Sequence, residues 1–98
     1  MGNTSSKNTL QNANFRVEQD RLKTFEILHW PYSAQVRPTD LAKAGFFYTG
    51  IIDAVKCPWC GVIVMEWKIY DNPMVEHQRY GPSCPFIRER TILARRLN

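Results

Sequence analysis

The chain has 98 residues, 44% hydrophobic and 22% charged, which is one small domain of ordinary globular composition and excludes a wholly disordered chain. No apolar run approaches the roughly 20 residues of a membrane span, and residues 1–14 hold no apolar secretory core, so the sequence points to an intracellular, cytoplasmic protein. A net charge of +4 is too mild to indicate nucleic acid by itself, and three cysteines are an odd number for a disulfide framework.

Residues 1–13 read as a tail. They are rich in Asn, Ser and Thr, a composition that buries too little surface to offset its ordering entropy. The domain runs from 14 to 98. Val17, Arg21, Phe25 and Leu28 recur at helical spacing, with Asn14 as the expected N-cap and Glu18 in the first turn. Pro31 and Pro38 bracket an irregular stretch. Thr39 or Asp40 then caps a short helix over Leu41–Ala44, which Gly45 stops. Phe46–Thr49 and Ala54–Lys56 read as strands around a turn at Gly50, and Val62–Trp67 as a third strand after Gly61. Asp71-Asn72-Pro73 opens a helix through Arg79, and Gly81-Pro82 ends it. Pro85–Arg96 reads as a closing helix. The elements make a small α+β domain, and a chain this short commonly needs a covalent or metal staple.

Three cysteines and one histidine can supply the staple. Cys57-Pro58-Trp59-Cys60 is a CxxC knuckle, followed by 16 residues to His77 and six more to Cys84. A knuckle presents two thiolates to one metal, and a later histidine and thiolate complete a tetrahedral Cys3His set suited to zinc. Four protein ligands leave no open position, so one structural Zn2+ is expected rather than a catalytic one. A redox CxxC would leave His77 and Cys84 unexplained. His29 has no partner pattern and reads as an ordinary helix-end histidine.

The chain resembles the baculoviral IAP repeat, the zinc domain of inhibitor-of-apoptosis proteins. The resemblance rests on Arg21-Leu22-Lys23-Thr24-Phe25, Trp30-Pro31, Leu41-Ala42-Lys43-Ala44-Gly45-Phe46-Phe47-Tyr48-Thr49-Gly50, Asp53-Ala54-Val55-Lys56-Cys57, Cys60-Gly61 and Trp67. It continues through Asp71-Asn72-Pro73, His77, Pro82 and Cys84-Pro85-Phe86. The wording around Glu76-His77-Gln78-Arg79 and Cys84–Arg88 is most similar to the first repeat of insect and insect-virus members. The resemblance implies a three-stranded antiparallel sheet flanked by four or five short helices, with zinc joining the knuckle to the later helix. It also implies that Arg21 is buried near the knuckle, where it hydrogen-bonds carbonyls or offsets thiolate charge.

The same resemblance implies an anti-apoptotic interaction module whose surface groove captures a free N-terminus, usually Ala-first, of a caspase or an antagonist. The groove residues would be Ile63, Val64, Met65 and Glu66 as an unpaired strand edge, Asp71 and Glu76 for the ammonium, and Tyr80 as a wall. The Glu66–Glu76 window holds three acids and one lysine in a chain that is basic overall. The family pattern is not matched throughout. Ile63, Val64 and Met65 stand where groove-formers carry Gly, Leu and Thr, and Met74 and Tyr80 where they carry Trp. A bulky Ile63 would narrow the groove. The alternative is a groove-independent adaptor or self-association domain that uses the Ile51-Ile52 turn or the closing helix.

Other function classes fit less well. No cysteine is left to act as a nucleophile and no phosphate loop is present, so the chain is not expected to be an enzyme. A ubiquitin-ligase RING, common in the family, would lie outside it. Arg88, Arg90, Arg95 and Arg96 spread around the closing helix with Glu89 and without a stacking platform, which reads as a solvated face and not a nucleic-acid site. Met1-Gly2-Asn3-Thr4-Ser5-Ser6 fits an N-myristoylation pattern, but a single acyl chain gives only marginal membrane attachment.

Overall fold

The computed structural model describes residues 10–97; residues 1–9, and with them the Gly2 motif and most of the expected tail, lie outside the described residues. The elements in order are α1 (Glu18–Ile27), α2 (Pro38–Lys43), β1 (Phe47–Tyr48), β2 (Val55–Lys56), β3 (Ile63–Val64), α3 (Pro73–Tyr80) and α4 (Pro85–Leu97). The strands form one antiparallel sheet in the order β1-β2-β3. Phe47 faces Lys56 and Tyr48 faces Val55, while Val55 faces Val64 and Lys56 faces Ile63. Among the described residues this is the expected three-stranded sheet with four helices.

Local chemistry sets the helix ends. The N-cap of α1 is Val17, not Asn14, and it makes no side-chain capping bond. Asn14 lies one turn earlier, where its Oδ1 accepts from the Arg16 amide at 3.0 Å and its carbonyl from the Val17 amide at 2.9 Å. An Asx turn competes with an N-cap for the same side chain, and here the turn wins. The C-terminus of α1 is a Schellman motif: the Trp30 amide donates to the Phe25 carbonyl at 2.9 Å and the His29 amide to the Glu26 carbonyl at 3.3 Å. His29 therefore occupies the left-handed position, at φ 58°, that glycine usually takes. The apolar contact of that motif is the Phe25–Trp30 ring pair, 5.3 Å between centroids.

The second helix begins one residue before the expected cap, with Arg37 at the N-cap and Pro38 at the first helical position. It ends in a second Schellman motif at Gly45, φ 99°, with the Phe46 amide donating to the Leu41 carbonyl at 3.0 Å. A Cβ on Gly45 would come within 2.9 Å of the Phe86 ring and 3.2 Å of the His77 ring. Asn72 caps α3 through Oδ1, accepting from the Met74 amide at 3.0 Å, with Pro73 behind it.

The core lies between α1, α2 and the sheet. Phe25, Trp30 and Tyr48 form an aromatic cluster over Leu41, Phe46 and Val55, and Cys57, Cys84, Phe86 and Ile87 extend it toward α4. Thr24 is fully buried and joins two layers: its Oγ1 donates to the Arg21 carbonyl at 2.6 Å and accepts from the Tyr48 amide at 2.8 Å.

The third strand departs from expectation. Val62–Trp67 does not continue as one strand, because ladder pairing stops at Val64 and Glu66 takes the left-handed conformation at φ 65°. Simple alternation would send Ile63 and Met65 to one face and Val64 and Glu66 to the other. Ile63, Met65 and Glu66 are all exposed, with only Val64 and then Trp67 buried. The turn is held by Asp53, whose Oδ1 accepts from the Glu66 amide at 3.1 Å and Oδ2 from the Trp67 amide at 2.9 Å. No helix among the described residues is long and apolar enough to cross a membrane.

Candidate metal centre and peptide groove

The β2–β3 knuckle delivers Cys57 and Cys60. The loop between α3 and α4 brings Cys84, and α3 itself brings His77. The four ligand atoms lie within 4.8 Å of one another. Cys57 Sγ is 3.6 Å from Cys84 Sγ, and Cys60 Sγ is 3.7 Å from His77 Nε2. Around a tetrahedral zinc, bond lengths of ~2.3 Å to sulfur and ~2.0 Å to nitrogen place ligand atoms roughly 3.5–3.8 Å apart, so the donor set fits one ion. His77 is oriented for the task. Its Nδ1 lies 2.7 Å from the Ala44 carbonyl, which can only accept, so Nδ1 carries the proton and the Nε2 lone pair faces the thiols. Burial lowers the His77 pKa from its ordinary value, and the Ala44 hydrogen bond opposes that shift.

Burial pushes the Cys57 thiol up to about 12 and raises the Cys60 thiol as well. A zinc ion binding here displaces thiol protons, which makes binding dependent on pH. Cys57, His77 and Cys84 are buried and Cys60 is exposed, so the open side of the cluster is at Cys60. The arrangement holds a structural metal, since all four tetrahedral positions belong to the protein.

Arg21 is 2% exposed. Its Nε donates to the Ala42 carbonyl at 2.8 Å and its Nη1 to the Phe15 carbonyl at 3.1 Å. Its guanidinium lies 5.3 Å from the centroid of the Trp59 ring, inside the CxxC knuckle, and 5.6 Å from that of Phe86. Desolvation lowers its pKa from the ordinary arginine value, while Glu18 and Cys57 act in the other direction. Arg21 thus ties α1 to Ala42 in the last turn of α2 and lays a cation against the knuckle.

Beside β3 lies a recess of about 210 Å³ lined by Val64, Met65, Glu66, Lys68, Asp71, Glu76, Arg79 and Tyr80. Six of the seven residues grouped by the sequence converge there. Ile63 does not line it; its side chain is 52% exposed at the strand edge. The edge itself is open. The Cys57 amide donates to the Val62 carbonyl at 3.0 Å, and with Val55 opposite Val64 the ladder directs the polar groups of Val62 and Val64 to β2. Alternate residues of an antiparallel strand face opposite ways, so Ile63 presents its N–H and C=O to the outside.

Two cations also line this recess. Lys68 is the lysine of the Glu66–Glu76 window, while Arg79, whose Nη1 is 3.7 Å from Glu76 Oε1, is not among the residues grouped by the sequence. Arginine three residues after a glutamate on a helix is the signal that could have found the pair. Asp71 is engaged as well: its Oδ2 accepts from the Lys68 amide at 2.8 Å. A larger hollow of about 430 Å³ shares Asp71 but is lined by α2 and residues 69–74, with no strand residue.

A sheet of two-residue strands, a Cys3His cluster that joins its knuckle to the following helix, and an open edge beside acidic side chains define a small zinc-stapled domain. The family model "BIR: Inhibitor of Apoptosis domain" matches residues 21–88, and the chain belongs to that family. An apoptosis inhibitor of Cydia pomonella granulosis virus is 41% identical over 76 residues, 78% of this chain and 26% of the viral protein. The death-associated inhibitor of apoptosis 2 of Drosophila melanogaster is 44% identical over 69 residues, 70% of this chain and 13% of that protein. The chain thus spans about a quarter or less of these relatives. A crystal structure of DIAP1 BIR1 bound to a Grim peptide superimposes with a TM-score of 0.69 at 39% identity, covering 78% of this chain and 75% of that one. A structure of the autoinhibited dIAP1-BIR1 domain matches with a TM-score of 0.69 at 40% identity, over 76% of this chain and 74% of that one.

Proposed function

We propose that this domain captures the free N-terminus of a partner chain, Ala-first, and in doing so restrains apoptosis in the cytoplasm. The observation that carries the reading is the recess itself, where Asp71, Glu76 and Tyr80 converge with Met65 next to the outward-facing strand edge at Ile63. The partner backbone would extend the sheet as a fourth strand on that edge. Its ammonium would lie against Asp71 and Glu76, and its small first side chain against Tyr80 and Met65. The zinc holds the walls in place and takes no part in contact. Caspases and their antagonists are the partners this reading names, and the Grim peptide bound by the DIAP1 repeat supports the antagonist half of it. The domain acts by binding and not by catalysis.

The test is a titration with a labelled peptide beginning Ala-Val-Pro, beside the same peptide N-acetylated. Binding that acetylation abolishes, and that Asp71→Asn with Glu76→Gln removes, is the expected result. Equal silence from both peptides would reject the groove. A second reading has an observation of its own: Ile51 and Ile52 stand 64% and 63% exposed at the β1–β2 turn. An adaptor or self-association contact there would survive the Asp71 and Glu76 substitutions and be lost on Ile51→Ser with Ile52→Ser.

A further inference from the structure

We infer that Arg79 sets the ligand specificity of the recess by selecting N-terminal peptides that carry an acidic side chain within the first few residues after the alanine. The inference rests on the ammonium-capture reading above and extends it. Glu76, the carboxylate assigned to the ammonium, is already paired within the domain. Its side chain is 14% exposed and lies 3.7 Å from the Arg79 guanidinium, which is 64% exposed. The covered partner is therefore the acid and the free partner is the base. An incoming ammonium must share Glu76 with Arg79 or displace it.

Displacement is easy, because a single 3.7 Å contact to an arginine head that stands in solvent is weak and screened. It also leaves a guanidinium standing at the rim of a recess whose other cation, Lys68, lines the same wall. With Glu66, Asp71 and Glu76 the recess holds three acids against two bases. With an ammonium bound the recess balances at three acids against three cations, but the ammonium has taken Glu76, the close counter-charge of Arg79. A carboxylate on the peptide supplies one, and a guanidinium can hold it through two parallel N–H donors. A neutral peptide takes Glu76 from Arg79 and returns nothing. An acidic peptide exchanges one ion pair for two. Tyr80, the next residue on α3 and also at the recess, brings the wall and the selecting charge to one helix end.

The test uses the zinc-loaded chain and four free-amine peptides read by fluorescence anisotropy: Ala-Glu-Pro against Ala-Gln-Pro, and Ala-Val-Glu against Ala-Val-Gln. The chain is expected to prefer the acidic member of at least one pair by about threefold to tenfold at low salt, with the preference shrinking as ionic strength rises. Arg79→Gln should erase the preference and at the same time tighten the neutral peptides by about two- to fivefold, because Glu76 is released from its partner. Arg79→Lys should keep part of it. A merely structural role for Arg79 would weaken every peptide together and not move the two classes in opposite directions. If neutral peptides bind through their free amine yet glutamate and glutamine are not distinguished, or if Arg79→Gln leaves the distinction intact, the inference is overturned while ammonium capture stands. If no free-amine peptide binds, acidic or neutral, both fall.

Discussion

Asp53 is the residue on which the geometry of the recess depends most directly. It is 8% exposed and holds two successive amides, Glu66 at 3.1 Å and Trp67 at 2.9 Å. Those amides flank a left-handed non-glycine residue, which costs roughly 1–2 kcal/mol of backbone strain. Each hydrogen bond to a charged acceptor returns about 1.5–3 kcal/mol. Asp53→Ala removes both bonds, orphans the buried Trp67 amide and should cost about 3–5 kcal/mol. Asp53→Asn keeps one acceptor but turns an NH2 toward the second amide, so about 2 kcal/mol is expected. For a domain of this size each kcal/mol lowers Tm by roughly 4–8 °C, so even the asparagine variant should melt about 10 °C lower. Urea unfolding followed by tryptophan fluorescence, at fixed free zinc because bound metal adds its own stabilisation, measures the difference. An Asp53→Asn midpoint within about 0.5 kcal/mol of the parent chain would refute the clamp.

Chelating the zinc should unfold the domain, seen as loss of helical circular dichroism, and a stably folded metal-free form would overturn the staple. Zinc affinity should fall on acidification, since burial raises the Cys57 and Cys60 thiols and each proton exchanged costs about tenfold per pH unit. His77 acts in the same direction. Its folded pKa lies below the ordinary 6.5, so its contribution is present above about pH 6.5 and is lost as pH falls through the folded value. A metal-competition titration from pH 8 to pH 5.5 should show this, and a flat profile would contradict it. Gly45→Ala should cost about 3 kcal/mol or more, because strain at φ 99° adds to a 2.9 Å clash with Phe86. Gly61→Ala, at φ 77° with no atom within 4 Å of its Cβ, should cost only about 1 kcal/mol. Equal losses in the two variants would show that the Phe86 contact is immaterial.

The parts legible in the sequence are those whose cause is local. The CxxC spacing, the Gly45 stop and the Asn72-Pro73 start each act within a few residues, and the structure uses all three as read. The cysteine and histidine spacing carries the zinc set, and the resemblance points to six of the eight residues that line the recess. What escaped has its cause elsewhere in the chain. The end of β3 at Val64 depends on Asp53, more than ten residues earlier, so an apolar run that alternates as far as Trp67 reads as a longer strand. Periodicity alone puts Arg21 on an apolar stripe, and only the resemblance implies its burial, because its acceptors at Ala42 and Phe15 exist only once α2 and the segment before α1 are packed against it. Asn14 was a reasonable N-cap by composition, but its side chain had a nearer amide to accept from.

The position of the zinc explains how so small a sheet can carry a recognition edge. Strands of two residues have too few ladder bonds to hold β3 in place, and an isolated hairpin of this length is marginal in water. The metal ligands sit on both sides of the problem: Cys57 and Cys60 at the knuckle that leads into β3, and His77 on α3. Glu76 directly precedes His77 and Tyr80 follows it by three residues on the same helix. One metal therefore sets the distance between the strand edge and the helix that together wall the recess, without touching anything that enters it. The Ala44 carbonyl extends this control to α2, because it fixes the ring of His77 from the end of that helix. Loss of the metal should thus release α3 from β3 and dismantle the recess together with the core. On this argument zinc occupancy and peptide binding belong to one cooperative unit. A chelator titration that separated them, with peptide still bound after the metal has left, would mean that the sheet edge is held by something other than the Cys3His centre.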